Sequence, residues 1–219
     1  FEATTRGYVW PIVKNSEDVA YDGRVYEMLS EHTLEGWMQG YILSGRHGVF
    51  VSYEAFATII ASMVDQHAKF LKQSFAIPWR TPIPSSIYLL SSVSWRQDHN
   101  GYSHQNPSFV SNVLQKHPEF CQIYYPPDAN SLLAAIEEVS KKHDSIAVIV
   151  AGKRNTFQWL TLEEARRQTK TGIGIWEWVG GKEASKNPDV VLASTGDYIT
   201  HEALMAVKWC REHVPELKV

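Results

Sequence analysis

Short apolar segments alternate along this chain with amphipathic segments, and this alternation restricts the possible folds more than any other feature. The segment Ile146–Val150 is apolar at every position, as expected of a strand covered by helices on both faces of a parallel sheet. Strands that alternate with helical patterns form parallel sheets with crossover helices. We therefore predict an α/β fold with helices on both faces of a parallel sheet. The predicted strands are 25–29, 87–93, 121–125, 146–150, 173–179 and 190–193.

The amphipathic segments predict helices, and two of these segments carry clear start signals. Asp128 precedes the segment 129–142 and Thr161 precedes 162–168. Both residue types cap helix N-termini by accepting a backbone hydrogen bond. One apolar stripe of 129–142 is expected to face the core, and it consists of Leu132, Leu133, Ile136 and Val139. The other predicted helices are 31–44, 52–71, 107–114 and 200–213.

The composition is that of an ordinary globular protein. Of the 219 residues, 44% are hydrophobic and 21% are charged, which excludes a collagen, a disordered tail and a disulfide scaffold. A net charge of −3 indicates no general attraction to nucleic acid or to an anionic membrane. No apolar run reaches the roughly 20 residues of a transmembrane helix. Cys121 and Cys210 form no metal-spaced or redox-type pair, which favours a reducing compartment, and we expect a cytoplasmic protein.

Polar segments suggest a division of the chain into domains. Residues 1–22 show little periodicity and predict a linker or an arm on a neighbouring subunit. A polar connector near 182–188 separates the main domain, 23–181, from 188–219, which predicts the truncated start of a second α/β domain. The chain opens without Met and stops inside an apolar pattern, so we expect both ends to be cuts through a longer protein.

A dense polar cluster, residues 95–105, directly follows the predicted strand 87–93. Ligands of open α/β sheets bind at the carboxyl ends of the strands, and the imidazole, amide and carboxyl groups of this cluster can exchange protons near neutral pH. One alternative is a loop whose polar side chains satisfy their own backbone. Another is a metal site through Asp98, His99 and His104, but no further ligand has matching spacing. We predict no metal site formed by this chain.

Two other polar positions follow predicted strands. Glu31 stands between the strand 25–29 and a helix, where it is either a buried acid pointing into the same crevice or a first-turn carboxylate that interacts with the helix dipole. Lys153 follows Gly152 after the strand 146–150. A lysine beside a glycine at such a position suits a phosphate, and the alternative is a solvated basic turn.

Read together, these segments resemble the thiamine-diphosphate-dependent phosphoketolases. The cluster 95–105 is the most specific of the matching segments, and the resemblance covers nearly the whole chain after Asp22. The other matching segments are 29–37, 44–50, 52–56, 66–69, 127–130, 151–153 and 174–178.

The resemblance implies a fold, a reaction and partners. It identifies 23–181 as the pyrimidine-binding domain of a thiamine diphosphate enzyme. Such enzymes convert xylulose 5-phosphate or fructose 6-phosphate, with inorganic phosphate, into acetyl phosphate and an aldose phosphate. The resemblance implies that thiamine diphosphate and Mg²⁺ are the cofactors, with the diphosphate and the metal held by a domain absent from this chain. It also implies a homodimer or a higher oligomer, because the family builds the site between two subunits, and a fragment that is inactive by itself.

The resemblance also implies roles for individual residues. Glu31 matches the acid that bonds a ring nitrogen of the cofactor's aminopyrimidine, a role that requires a buried carboxyl group with a raised pKa. Tyr53 and Phe56 match the aromatic wall on which that ring stacks, and a spacing of three on a helix puts them on one face.

Further roles fall in and after the cluster 95–105. Gln97, Asn100 and His104 match active-site positions that polarise hydroxyl groups and help to expel water, and Asn100 also matches a cofactor contact. His99 and Lys153 match contacts to the sugar phosphate or to inorganic phosphate.

Two other functions remain open at this stage. One is a transketolase-like enzyme that passes the two-carbon unit to an aldose. The cluster 97–104 argues for the phosphoketolase, because a two-carbon unit that loses water needs more proton donors than one that is only transferred. The other is a non-catalytic interaction domain that uses the aromatic surface. A buried Glu31 beside an aromatic cleft would argue against an interaction domain, and an exposed Glu31 would favour it.

Overall fold

Four parallel strands form the sheet at the centre of this chain. The computed structural model describes residues 7–8, 25–26, 28–91, 106–181, 184 and 186–219. A separate two-stranded parallel pair consists of β1 (Gly7–Tyr8) and β2 (Val25–Tyr26). The central sheet has the order β3-β4-β6-β5, and all its neighbouring strands are parallel. Its strands are β3 (Gly48–Ser52), β4 (Ser86–Leu90), β5 (Cys121–Tyr124) and β6 (Ile146–Val150).

Helices cover both faces of this sheet, so the predicted α/β fold is confirmed. One face packs against α1, α2 and α3, and the other packs against α4, on which α5 forms an outer layer. No helix in the described part of the chain is both long and apolar enough to span a bilayer. The helices are α1 (Glu31–Leu43), a 3-10 helix (Glu54–Ile60), α2 (Ala61–Ser74), α3 (Ser108–Leu114), α4 (Ala129–Ser140), α5 (Leu162–Thr171), α6 (Glu177–Gly180) and α7 (Asp197–His213).

The most apolar strand lies inside the sheet, as its sequence predicts. All five residues of β6 are buried, because β4 and β5 flank the strand and helices cover both of its faces. Val148 and Tyr88 face the α1–α3 side, whereas Ile149 and Ile87 face α4. This alternation produces two core clusters, one on each side of the sheet.

Two predicted strands are wrong. Residues 173–179 form an irregular segment followed by α6, and 190–193 are irregular as well. Both segments are rich in apolar residues, but Ile173 and Ile175 are 79% and 87% exposed and Val191 is 77% exposed. A short apolar run identifies a strand only if a neighbouring strand is available to pair with it. The helix predicted over 200–213 is confirmed and begins three residues earlier, at Asp197.

The prediction also missed a strand and misplaced a helix start. The predicted helix 52–71 begins as a 3-10 helix at Glu54 and becomes α-helical at Ala61, and the preceding residues form β3. β3 lies at the edge of the sheet, with Val49 and Val51 more than half exposed and Phe50 buried. On α4, Leu133 is 52% exposed and is not part of the buried stripe, because Ala134 and Ala135 pack into the cores instead.

Asp128 caps α4, as predicted, and also fixes a distant segment. Its Oδ1 accepts a hydrogen bond of 2.8 Å from the backbone N–H of Ser131. Its Oδ2 accepts hydrogen bonds from the N–H groups of Trp159 and Leu160, at 2.9 and 2.8 Å, and from the side chain of Gln158. The carboxylate is 4% exposed, so the N-terminus of α4 and the segment before α5 depend on one side chain.

We expect Asp128→Asn to lower the free energy of unfolding by about 2 kcal/mol, since hydrogen bonds to a charged acceptor contribute about 1.5–3 kcal/mol. The amide group would direct an N–H₂ at backbone donors that now point at a carboxylate oxygen. Urea denaturation of this chain measures the effect. Asp189→Asn is the matched control, because exposed Asp189 accepts a single backbone hydrogen bond from Lys218 and should change stability by less than about 0.5 kcal/mol. Equal stabilities of the two variants would contradict the prediction.

Candidate functional site

The carboxyl ends of the strands form one edge of the molecule. Ser52 pairs with Leu90, and Leu90 pairs with Val150, so β3, β4 and β6 end at the same level. The N–H groups of Ser91 and Ala151 continue the ladder by donating to the carbonyl oxygens of Ser52 and Leu90, both at 2.9 Å. The residues that follow these strands therefore meet at this edge, which we call the carboxyl edge.

Three predicted site residues lie close together there. The Lys153 Nζ lies 5.0 Å from the centroid of the Tyr53 ring, and the Tyr53 and Phe56 rings are 6.0 Å apart at an interplanar angle of 53°. Phe56 is 40% exposed and Lys153 is exposed. The Tyr53 hydroxyl oxygen is buried and has no hydrogen-bond partner among the described residues. The edge thus offers aromatic rings and an ammonium group within one small area.

Glu31 lies at the same edge, on the first turn of α1. The 13 residues of α1 span about 20 Å, and the five residues of β3 span about 17 Å. Because only four residues separate the two elements and they pack together, α1 must run antiparallel to β3. Its N-terminus therefore lies at the carboxyl edge, where Ser30 caps the helix by accepting a 3.2 Å hydrogen bond from the Thr33 N–H.

The burial expected for Glu31 is not found in this chain. Glu31 is only half-buried, because the first residue of α1 lies on the rim of the fold. The fully buried carboxyl group belongs to Glu35, one helical turn further into the protein, which is 0% exposed. The predicted acid therefore lies at the edge, and a second acid, which the sequence analysis did not identify, lies behind it.

Glu35 is held by two hydrogen-bond donors. The Tyr88 hydroxyl donates to Oε1 at 2.6 Å, and Gln39 Nε2 donates to the same oxygen at 2.7 Å. Burial raises the pKa of Glu35, and the two hydrogen bonds oppose that shift. Burial and the neighbouring Glu35 also raise the pKa of Tyr88. The sequence does carry a signal for this acid, because Glu35, Met38 and Ile42 are spaced as one buried face of α1.

The backbone N–H of Gly152, beside the predicted phosphate contact Lys153, is already bonded within the chain. It donates to Asp197 Oδ2 at 3.0 Å, so a carboxylate of the same chain occupies that donor. A Cβ at Gly152 would collide with this carboxylate, which explains the need for glycine. The Gly196 N–H donates to the Tyr125 carbonyl at 3.2 Å, and both contacts fix the start of α7 to the carboxyl edge. Lys153, which is exposed, stays the predicted anion-binding residue of this turn.

The polar cluster 95–105 lies outside the described residues. This segment contains Gln97, His99, Asn100 and His104, and also Asp98 of the alternative metal site. In the sequence it follows Ser91, which stands at the carboxyl end of β4. The predicted roles of these residues stay predictions.

Comparisons with known proteins agree along the whole chain. The family model described as D-xylulose 5-phosphate/D-fructose 6-phosphate phosphoketolase matches residues 1–142, and the model of the C-terminal domain of that family matches 153–219. Over 219 residues the chain is 49% identical to a "Probable phosphoketolase" of Streptomyces coelicolor. It is 50% identical over 220 residues to one of Chlorobaculum tepidum. The matches cover all of this chain but only 28% of the length of each relative.

Proposed function

Because this chain belongs to the D-xylulose 5-phosphate/D-fructose 6-phosphate phosphoketolase family, we propose that it is part of a phosphoketolase, a lyase of carbohydrate metabolism. The proposed reaction cleaves xylulose 5-phosphate or fructose 6-phosphate with inorganic phosphate and yields acetyl phosphate, a shortened aldose phosphate and water. The observation that carries the proposal is the contact between Lys153 and Tyr53. It brings an anion-binding group and an aromatic ring together at the carboxyl edge, where α/β enzymes bind ligands.

The residues of this edge fit the pyrimidine side of thiamine diphosphate, which supplies a carbon nucleophile when it is bound. Phe56 presents a partly exposed ring. The Tyr53 hydroxyl, which has no hydrogen-bond partner within the described part of the chain, could bond a ligand. A planar heterocycle can stack on such rings. We propose that the diphosphate and Mg²⁺ are held by a part of the enzyme outside this chain.

Glu31 is proposed to hold a proton at a ring nitrogen of that heterocycle. Its position on the first turn of α1 and its partial burial support this role, since a carboxyl group on the rim can meet a ligand that arrives from outside the chain. A ring stacked over Glu31 would also remove the carboxyl group from water, and such burial raises the pKa of an acid. We therefore propose that the bound ligand and a partner subunit complete the burial of the Glu31 carboxyl group.

Lys153 is proposed to bind a phosphate group of the sugar or inorganic phosphate. An ammonium group is a compact charge that suits phosphate oxygens, and its position over the Tyr53 ring limits the directions in which it can point. From the resemblance, we assign the second phosphate contact to His99. Gln97, Asn100 and His104 are proposed to polarise hydroxyl groups and assist the loss of water, with Asn100 also touching the cofactor.

Two properties of the whole protein are also proposals. A homodimer or a larger homo-oligomer would complete the site, since the matched segment supplies one side of the cofactor only. Cytoplasmic location is proposed from the two cysteines, both of which have free thiols, as is usual in a reducing compartment.

A chimera tests the proposed function. This chain would replace the matching 219 residues of the Streptomyces coelicolor relative, which is 49% identical, and acetyl phosphate would be measured with each sugar phosphate. We expect product only when thiamine diphosphate, Mg²⁺ and inorganic phosphate are all present, and none from this chain by itself.

Other results would point to other functions. Transfer of the two-carbon unit to an acceptor aldose, without dependence on phosphate, would indicate a transketolase-like enzyme. A folded chimera without either activity, beside an active parent enzyme, would favour an interaction domain. Turnover by this chain alone would overturn the proposal that the site is shared with a part of the enzyme outside it.

A further inference from the structure

The buried carboxyl group of Glu35 has no part in the chemistry assigned so far. We propose that Glu35 carries a proton at neutral pH and acts as a positioning residue for Glu31, so that the two acids of α1 differ in charge state. This inference rests on the proposed function for the role of Glu31, whereas the protonation of Glu35 is a property of this chain alone.

The first argument is the arrangement of donors around the carboxyl group. Both neighbouring donors, the Tyr88 hydroxyl and Gln39 Nε2, point at Oε1, and Oε2 is buried with no hydrogen-bond partner among the described residues. A neutral acid fits this asymmetry, because its carbonyl oxygen accepts both hydrogen bonds while its hydroxyl group occupies the other position. An ionised carboxylate would leave a charged oxygen buried without a donor, which is costly.

The second argument is the charge of the surroundings. On other elements, the Tyr88 hydroxyl of β4 bonds Glu35, and the Cys121 thiol of β5 interacts with Tyr88. Neither carries a positive charge. On the 3-10 helix, Glu54 affects the pKa of Tyr125.

The cations and acids of neighbouring helices do not compensate Glu35 either. On α2, Asp65 forms an ion pair with Lys116 of the segment after α3, and His67 bonds Ser86. The other titratable groups on α1 are Glu31, His32 and Tyr41. With no compensating cation in the described surroundings, burial favours the protonated form of Glu35.

The third argument is the spacing of the two acids. Glu31 and Glu35 are four residues apart on α1, so their Cβ atoms lie about 6 Å apart on one face of the helix. A negative charge on Glu35 would oppose ionisation of Glu31. A neutral Glu35 removes that repulsion, and its bond to Tyr88 fixes the helix to β4. Without a charge on Glu35, the pKa of Glu31 depends on the ligand that buries it at the carboxyl edge, as the proposed function requires.

Infrared spectroscopy of this chain at pH 7 tests the inference directly. We expect a carboxylic acid C=O band, a signal that an ionised carboxylate lacks, and we expect Glu35→Gln to remove it. Gln has nearly the same volume and keeps an acceptor for Tyr88, so the fold should be retained. Tyr88→Phe removes one donor to the C=O group and should move the band to higher frequency. Absence of the band at pH 7 in the folded chain, or its survival in Glu35→Gln, would overturn the inference.

Kinetics of the chimera test the positioning role. Glu35→Gln should keep the rate within about threefold of the parent chimera and leave its pH profile unshifted, because a permanently neutral side chain reproduces a protonated acid. Glu35→Ala should lower the rate more than tenfold, since Tyr88 loses its acceptor. The higher rate of Glu35→Gln would show that a neutral acceptor for Tyr88 is sufficient. A tenfold loss or a shifted pH profile in Glu35→Gln would refute the positioning role. If the infrared result holds and the chimera never makes acetyl phosphate, the proposed function fails while the protonation of Glu35 stands.

Discussion

Glu31→Gln is expected to lower acetyl phosphate formation by the chimera about a thousandfold, within the range by which positioned acids and bases accelerate reactions. The amide cannot exchange the proton that Glu31 is proposed to hold at the pyrimidine nitrogen, although it occupies the same space. Binding of the sugar phosphate should change little, because phosphate recognition is assigned to Lys153 and His99. Initial rates measured at saturating cofactor and varied substrate would separate the fall in kcat from any change in KM.

Two controls distinguish this role from the alternative that Glu31 only interacts with the dipole of its helix. Exposed Glu163 is a first-turn carboxylate of α5, so Glu163→Gln reports the dipole effect, which is about 0.3–1 kcal/mol of stability. Exposed His32 lies beside Glu31, so His32→Gln reports disturbance of the first turn. Both controls should keep full activity. Retention of more than a tenth of the activity in Glu31→Gln would show that this carboxyl group is not the acid.

Acidification from pH 8 to pH 4 is expected to remove about 3 kcal/mol of stability through His67 alone. The side chain of His67 is 4% exposed, and its Nε2 lies 2.9 Å from Ser86 Oγ. Burial, and then the charge of Arg80, lower the pKa of His67 from 6.5 to about 4. The native state therefore keeps a neutral imidazole where the unfolded chain already binds a proton.

The sign of the effect follows from these two pKa values. The stability contributed by neutral His67 is complete above pH 6.5 and is lost as the pH falls toward 4. Glu35 acts in the opposite sense, because its pKa is raised and its protonated native form loses stability as the pH rises above 4.5. The pH dependence of the unmodified chain therefore understates the contribution of His67, and the variants must be compared pairwise.

Urea denaturation at several pH values measures this contribution. We expect His67→Gln, whose amide can still bond Ser86, to lose about 3 kcal/mol less than the parent chain between pH 8 and pH 4. His47→Gln is the control, because His47 is exposed and should leave the profile unchanged. Parallel profiles for the parent chain and His67→Gln would show that the native imidazole titrates normally.

Much of the candidate site could be predicted from the sequence because strand ends and family motifs are local features. Lys153 follows the predicted strand 146–150, whereas Tyr53 and Phe56 came from the family motif because β3 was missed; the parallel sheet brings all three together at one edge. Glu35 was missed because a carboxyl group on a buried helix face is normally unfavourable. Only a partner such as Tyr88, 53 residues away in sequence, makes its burial possible.

The sequence by itself determined the elements whose signals are local. A strand that is apolar on both faces must be buried on both faces, so β6 and the α/β class followed from Ile146–Val150. The caps at Asp128 and Thr161 followed as well, because each side chain bonds a backbone N–H only three residues away.

The tertiary structure alone decided which segments pair and which polar groups meet. An apolar run such as 190–193 forms a strand only if a neighbouring strand is available to pair with it. The segment around Val49 forms β3 because β4 pairs with it. The order of the strands, the contact between Gly152 and Asp197 and the pair of Glu35 and Tyr88 join residues far apart in the chain. These contacts are stabilised by burial and by hydrogen bonds that exist only after the chain has folded.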